Sequence, residues 1–177
     1  MSKQRLLKMT LQLQNNFWVL RQNYGEKTNQ EQMRNLIISQ KIVTCPWGGW
    51  GVARENVING QYNESTTNRP GGRPSKNQDR RFVEEMKIGD IVLIPFAKKR
   101  GCIVGRIASG VEYSIDTGMF WTEKENHITI GEEGDLPFRP VGRYIEIIKE
   151  DLLPETIISN RLTLSKMSQR LIESLNK

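Results

Sequence analysis

The run Ile91-Val92-Leu93-Ile94-Pro95 constrains this chain more than any other stretch. Five apolar residues without a polar interruption read as a strand buried on both faces. Lys98 to Gly101 supplies a turn, and Cys102 to Ala108 returns as a second strand. A hairpin buried on both faces cannot stand alone, so the rest of the chain must supply its cover.

Further strands are legible on either side. Phe17-Trp18-Val19-Leu20 reads as an early buried strand, and Lys41 to Cys45 as a β-branched one. Val111 to Ile115 alternates with period two after a Ser109-Gly110 turn. Phe138 to Ile148 reads as a last long strand with Val141, Ile145 and Ile147 on one side. Between them, residues 29–39 place Met33, Leu36 and Ile37 at helical spacing. Phe82 and Met86 share a face of another short helix, with Gly89 as its expected C-cap. Residues 3–13 suggest a loose helix, while 59–77 and 122–136 read as irregular polar segments. From Leu162 on, Leu164, Met167, Leu171, Ile172 and Leu175 predict an amphipathic C-terminal helix. The sum is an α+β fold: a small, twisted, partly closed β-barrel with peripheral helices. The expected division is an extension over 1–16, the barrel over 17–154, and a C-terminal helix over 155–177. That last piece is a possible link to a partner or another domain.

Charge points to the partner. The formal net charge is +6 and the pI about 9.4, which favours polyanions through counterion release. The basic residues cluster. Residues 69–81 hold Arg69, Arg73, Lys76, Arg80 and Arg81 against the single acid Asp79, and Lys98-Lys99-Arg100 forms a second group. These eight basic residues are the candidates for contact with a nucleic-acid backbone. Gly72-Arg73-Pro74 also matches part of the Arg-Gly-Arg-Pro pattern that lies in narrow minor grooves. Two cysteines, Cys45 and Cys102, stand far apart and suggest neither a disulfide framework nor a zinc site. With no apolar leader and no run of roughly 20 apolar residues, the expectation is a cytoplasmic protein.

Catalysis is hard to build from these residues. The single histidine, His127, has no partner of nucleophilic type nearby in sequence, and no phosphate-binding Gly-rich loop is present. The expectation is therefore a protein without catalytic residues, cofactor or metal. The aromatic set says more. Trp18, Trp47, Trp50, Phe96, Tyr113, Phe120 and Trp121 all fall at strand ends or in turns, where a flat face either packs the core or sandwiches an extruded base. Trp50 stands between Gly49 and Gly51, whose lack of side chains leaves room for a ligand.

These elements recur in a known order. Phe17-Trp18-Val19-Leu20-Arg21 is followed by Gly49-Trp50 after the second strand, then by Met86-Lys87-Ile88-Gly89-Asp90-Ile91-Val92-Leu93-Ile94-Pro95. Val104-Gly105-Arg106-Ile107, Tyr113 and Phe138-Arg139-Pro140-Val141 complete the series. The pattern, over about residues 17–150, resembles the EVE branch of the PUA-like superfamily, with its YTH and ASCH relatives. It is similar in particular to the N-terminal modules of modification-dependent restriction proteins. The resemblance implies a twisted barrel that takes a modified base into an aromatic pocket. Trp50 would be one wall and the segment from Tyr113 to Trp121 the other, with Asp116 or the backbone of Thr44 and Cys45 reading the base edge. It also implies a nuclease or NTPase domain or subunit outside this chain. An RNA-binding PUA-like module and a protein-interaction domain are the competing readings.

Overall fold

The hairpin forms as expected and stands at the centre of a six-stranded sheet. The computed structural model describes residues 16–22, 30–45, 59, 78–96, 101–122, 127–130, 136–152 and 164–175. Strand β3 (Ile91–Pro95) pairs antiparallel with β4 (Cys102–Ile107), from Ile91 opposite Arg106 to Pro95 opposite Cys102. On the β3 side lie β1 (Phe17–Leu20), parallel to it, and then β9 (Leu164–Lys166), antiparallel to β1. On the β4 side lie β8 (Gly142–Leu152) and β2 (Ile42–Thr44), each antiparallel to its neighbour. The order is β2-β8-β4-β3-β1-β9.

Alternation of side chains loads both faces of this sheet. Trp18, Leu20, Val92, Ile94, Ile103 and Ile107 enter one core cluster; Val19, Ile91, Leu93, Cys102 and Val104 enter the other. The first is covered by α1 (Gln30–Gln40) through Met33, Leu36 and Ile37. Phe82 and Met86 join it from α2, a helical turn at Gln78–Arg80 that widens into a π-turn over Arg81–Glu85. The second is covered by Met167 and by Leu171 of α3 (Gln169–Leu175). A seven-residue helix has no stability of its own in water, so docking of these side chains is what holds α3.

The sheet is curled into a half-barrel, and one side chain shows how far. Cys45 donates its N–H to Val141, which leaves the N–H and C=O of Thr44 pointing away from β8. Gln22 satisfies both. Its amide nitrogen donates to Thr44 O at 3.1 Å, and its carbonyl oxygen accepts from Thr44 N and Oγ1 at 2.9 Å each. Gln22 follows β1, four strand spacings from β2, which in a flat sheet would be roughly 19 Å. The two edges are drawn towards α2 as well. Gln78 accepts from Leu164 N of β9 at 2.7 Å, while Asp79 accepts from the Cys45 thiol at 3.7 Å. Polar side chains thus occupy edge positions that would otherwise invite a further strand.

A second sheet, order β6-β5-β7, joins β4 to β8. It consists of β5 (Met119–Thr122), β6 (His127–Ile130) and β7 (Leu136–Phe138), all antiparallel. Its root is held by Gln40 Nε2 to Thr117 O (2.9 Å), Ile115 N to Pro140 O (3.0 Å) and an Arg139–Asp116 ion pair at 3.8 Å.

Several expectations are corrected. Val111 to Ile115 forms no strand, only a bridge of Glu112 with Gly142, because the chain bends at Tyr113 and Ser114. Residues 122–136 are not wholly irregular, since β6 lies among them. The expected strand over 138–148 is broken at Pro140, which has no N–H for a ladder; β7 ends before it and β8 begins after it. Gly89 does not cap α2. The helix ends at Met86, in extended conformation, and Gly89 at φ 93° serves the tight turn in which Asp90 N returns to Lys87 O. The predicted C-terminal helix over 162–176 begins only at Gln169, and Leu164 to Lys166 form an edge strand. The loose helix over 3–13 lies outside the described residues.

Candidate nucleic-acid interface

Gly142 brings together the bases of the two expected pocket walls. On one side it lies opposite Thr44 of β2, the strand that precedes residues 46–51 in sequence. On the other it exchanges both main-chain hydrogen bonds with Glu112, at 2.8 and 2.9 Å, in the segment that carries Tyr113 and Asp116. No larger residue fits between them. A Cβ on Gly142 would lie 2.7 Å from Ile115 Cδ1 and 2.8 Å from Val43 O.

Around this junction the expected site residues separate. Tyr113 is 42% exposed, and Asp116 is exposed, bonding Gly118 N at 3.2 Å and facing Arg139. Both lie at the surface. The main-chain groups of Thr44 and the N–H of Cys45 are bonded to Gln22 and Val141. Trp18 is a core residue rather than a pocket wall: it is wholly buried, and its indole N–H donates to Asp90 Oδ2 at 2.8 Å. Phe120 and Trp121 are consecutive in β5. The register places Phe120 opposite Thr129 and Pro137, and Trp121 opposite Ile128 and Leu136. His127 opens β6, opposite Thr122.

Of the expected backbone contacts, Arg80 and Arg81 stand on α2. Arg80 is about half exposed and pairs with Glu85 at 3.2 Å. Trp47, Trp50, Arg69, Arg73, Lys76, Lys98, Lys99 and Arg100 lie outside the described residues.

The structure also reveals buried polar groups that the sequence did not single out. Asp90, just ahead of β3, accepts from Asn16 N (3.1 Å), Trp18 Nε1 (2.8 Å) and Lys87 N (2.9 Å), joining the starts of β1 and β3. Arg143 is 3% exposed. Its Nε and Nη2 donate to Phe82 O at 3.1 and 2.9 Å, Nη2 also to Val83 O at 3.0 Å, and Nη1 to Ser109 O at 3.1 Å. Its guanidinium carbon lies 5.6 Å from the centre of the Phe82 ring. Burial lowers its pKa, and the nearby Asp90 carboxylate opposes that shift. Asp90 shows a sequence signal in its place after Gly89 at a strand start. Arg143 shows none; it alternates along β8 like any strand residue.

Both thiols are held protonated. Burial first, then the Asp79 carboxylate, pushes Cys45 well above the ordinary range, and burial pushes Cys102 up to about 11. Neither is an activated nucleophile. Among the described residues no three His, Cys, Asp or Glu side chains stand close enough to hold a metal ion, and no helix is long and apolar enough to cross a membrane.

A family model described as a domain of unknown function (DUF8426) matches residues 22–131, more than half of the chain. No curated protein and no solved structure matches it.

Proposed function

The chain belongs to the DUF8426 family, and from that premise we propose that it is a non-catalytic nucleic-acid-binding module that reads a modified base in DNA. The junction at Gly142 carries the reading. It sets the exit of β2, which is followed in sequence by Trp47 and Trp50, against the segment bearing exposed Tyr113 and Asp116. Trp50, as the sequence reading has it, together with Tyr113 and Asp116 would suit a base taken out of its stack: rings to lie against and a carboxylate for its edge. The net charge of +6 supports the polyanionic partner. The curled mixed sheet supports a PUA/EVE-like barrel, and with it a role as the specificity part of a cytoplasmic modification-dependent restriction or defence system. Cleavage would then fall to a nuclease or NTPase domain or subunit beyond this chain.

The test is equilibrium binding to matched oligonucleotides: duplex DNA and single-stranded RNA of one sequence, each unmodified or carrying 5-methylcytosine, 5-hydroxymethylcytosine or N6-methyladenine. The proposal expects one modified DNA to bind at least tenfold more tightly than its unmodified match. Preference for a modified RNA would make the chain an RNA-binding PUA-like module instead. Failure to bind any of them would favour a protein-interaction domain.

A further inference from the structure

We infer that Arg143 is a positioning residue for the base-reading surface, locking the Ser109 turn to the carbonyl end of α2. The inference rests on the function proposed above.

A guanidinium that is 3% exposed must recover its hydration from the protein. Among the described residues Arg143 does so from main-chain carbonyls in two separate places. One is the end of α2. There Met86 N reaches back to Arg81 O and the chain then becomes extended, so the carbonyls of Phe82 and Val83 lie past the last turn without a helical donor. Nε and Nη2 take both, and a cation at the carbonyl end of a helix is also favoured by the peptide dipoles. The other place is Ser109, reached by Nη1. The Ser109 hydroxyl in turn accepts from Tyr144 N at 2.9 Å, so two consecutive residues of β8 hold the one turn.

That turn leads into the segment carrying Glu112, Tyr113 and Asp116. The helix carries Arg80 and Arg81, and its Asp79 meets Cys45 at the end of β2. One rigid fork therefore sets the spacing between the segment that would read a base, the arginines that would meet phosphate, and Cys45 at the end of β2. Discrimination between bases depends on such spacing to within about an ångström, whereas phosphate contact does not. Lysine keeps the charge but has no planar fork to span both places.

The experiment compares wild type, Arg143→Lys and a variant with one glycine inserted after Gly110. The insertion lies where an added Cβ meets nothing within 4 Å. It lengthens the link from Ser109 to Glu112 and leaves the guanidinium its partners. Thermal melting and binding to the duplex set above, modified and unmodified, are measured on each. Both variants should fold, lose at least tenfold of the preference for the modified duplex, and bind the unmodified duplex within twofold of wild type. Should Arg143→Lys fail to fold, the glycine insertion decides alone. A preference retained in the insertion variant, or in a folded Arg143→Lys, overturns the inference and leaves the proposed function standing. A parallel fall in both affinities makes Arg143 a strut of the fold only and overturns it as well. A wild type without preference for any modified duplex removes the function, and the inference with it.

Discussion

Gly142 is the residue on which the junction most visibly depends. Adding a methyl group there forces both Ile115 and the β2 backbone at Val43 to move, so Gly142→Ala should cost about 1–3 kcal/mol in denaturant unfolding. Gly110→Ala, with nothing within 4 Å of the new Cβ, should stay within about 0.5 kcal/mol of wild type. Trp18→Phe tests the core assignment. It removes the indole donor from buried Asp90 and should cost about 1–3 kcal/mol, with nucleic-acid affinity unchanged in the folded protein. The thiols supply a pH dependence. Cys102 ionises near 11 in the folded chain against an ordinary 9.0, and Cys45 is raised too, so folding favours the protonated thiols. Their contribution is complete below the ordinary thiol value of 9.0 and is lost as pH rises towards 11, because the unfolded chain ionises first. Melting temperature followed across that range should fall, and Cys102→Ala should make the fall shallower. At this scale the sequence is a partial guide. An aromatic at a strand end reads alike whether it faces a ligand or, like Trp18, closes over a buried carboxylate. The pairing of Gln22 with Thr44 joins residues that no local pattern relates.

Elements were more legible where many residues share one tendency. The apolar run of β3 and the returning β4 follow from composition alone, as does the helical spacing of Met33, Leu36 and Ile37 in α1. Short strands were not. β9 has three residues, and Leu164, Met167 and Leu171 keep helix-like spacing although a strand passes into a helix between them. Their burial changes the expectation for a truncation. Leu164 is wholly buried in the first cluster, and Met167 and Leu171 enter the second. Each buried side chain of this kind contributes about 1.5–3 kcal/mol. Removing residues 164–177 should therefore abolish cooperative thermal unfolding of the whole sheet, as read by circular dichroism. A truncated chain that melts like the full one would show that the C-terminus is an appendage.

For the whole molecule, the half-barrel was legible as a class from the number and spacing of strands; its closure by Gln22, Gln78 and Asp79 was not. The basic balance was plain in the sequence, and the described residues show why it must be tested by binding. Arg80, Arg106 and Arg139 each already face a carboxylate, from Glu85, Glu146 and Asp116. Such exposed pairs are weak and screened, so phosphate can displace them, at a cost to the net gain per contact. The double variant Arg80→Ala, Arg81→Ala should lower affinity for modified and unmodified duplex alike and flatten the salt dependence by up to about two phosphate contacts. The most direct measurement follows the affinity of the wild-type chain for one modified duplex and its unmodified match across a series of salt concentrations. Phosphate contacts set the slope of log affinity against log salt, while an extruded base adds stacking of roughly 1–3 kcal/mol that releases no counterions. Two parallel lines are predicted, the modified duplex lying about ten- to a hundredfold higher at every salt concentration. Coincident lines for every modification tried would contradict the account.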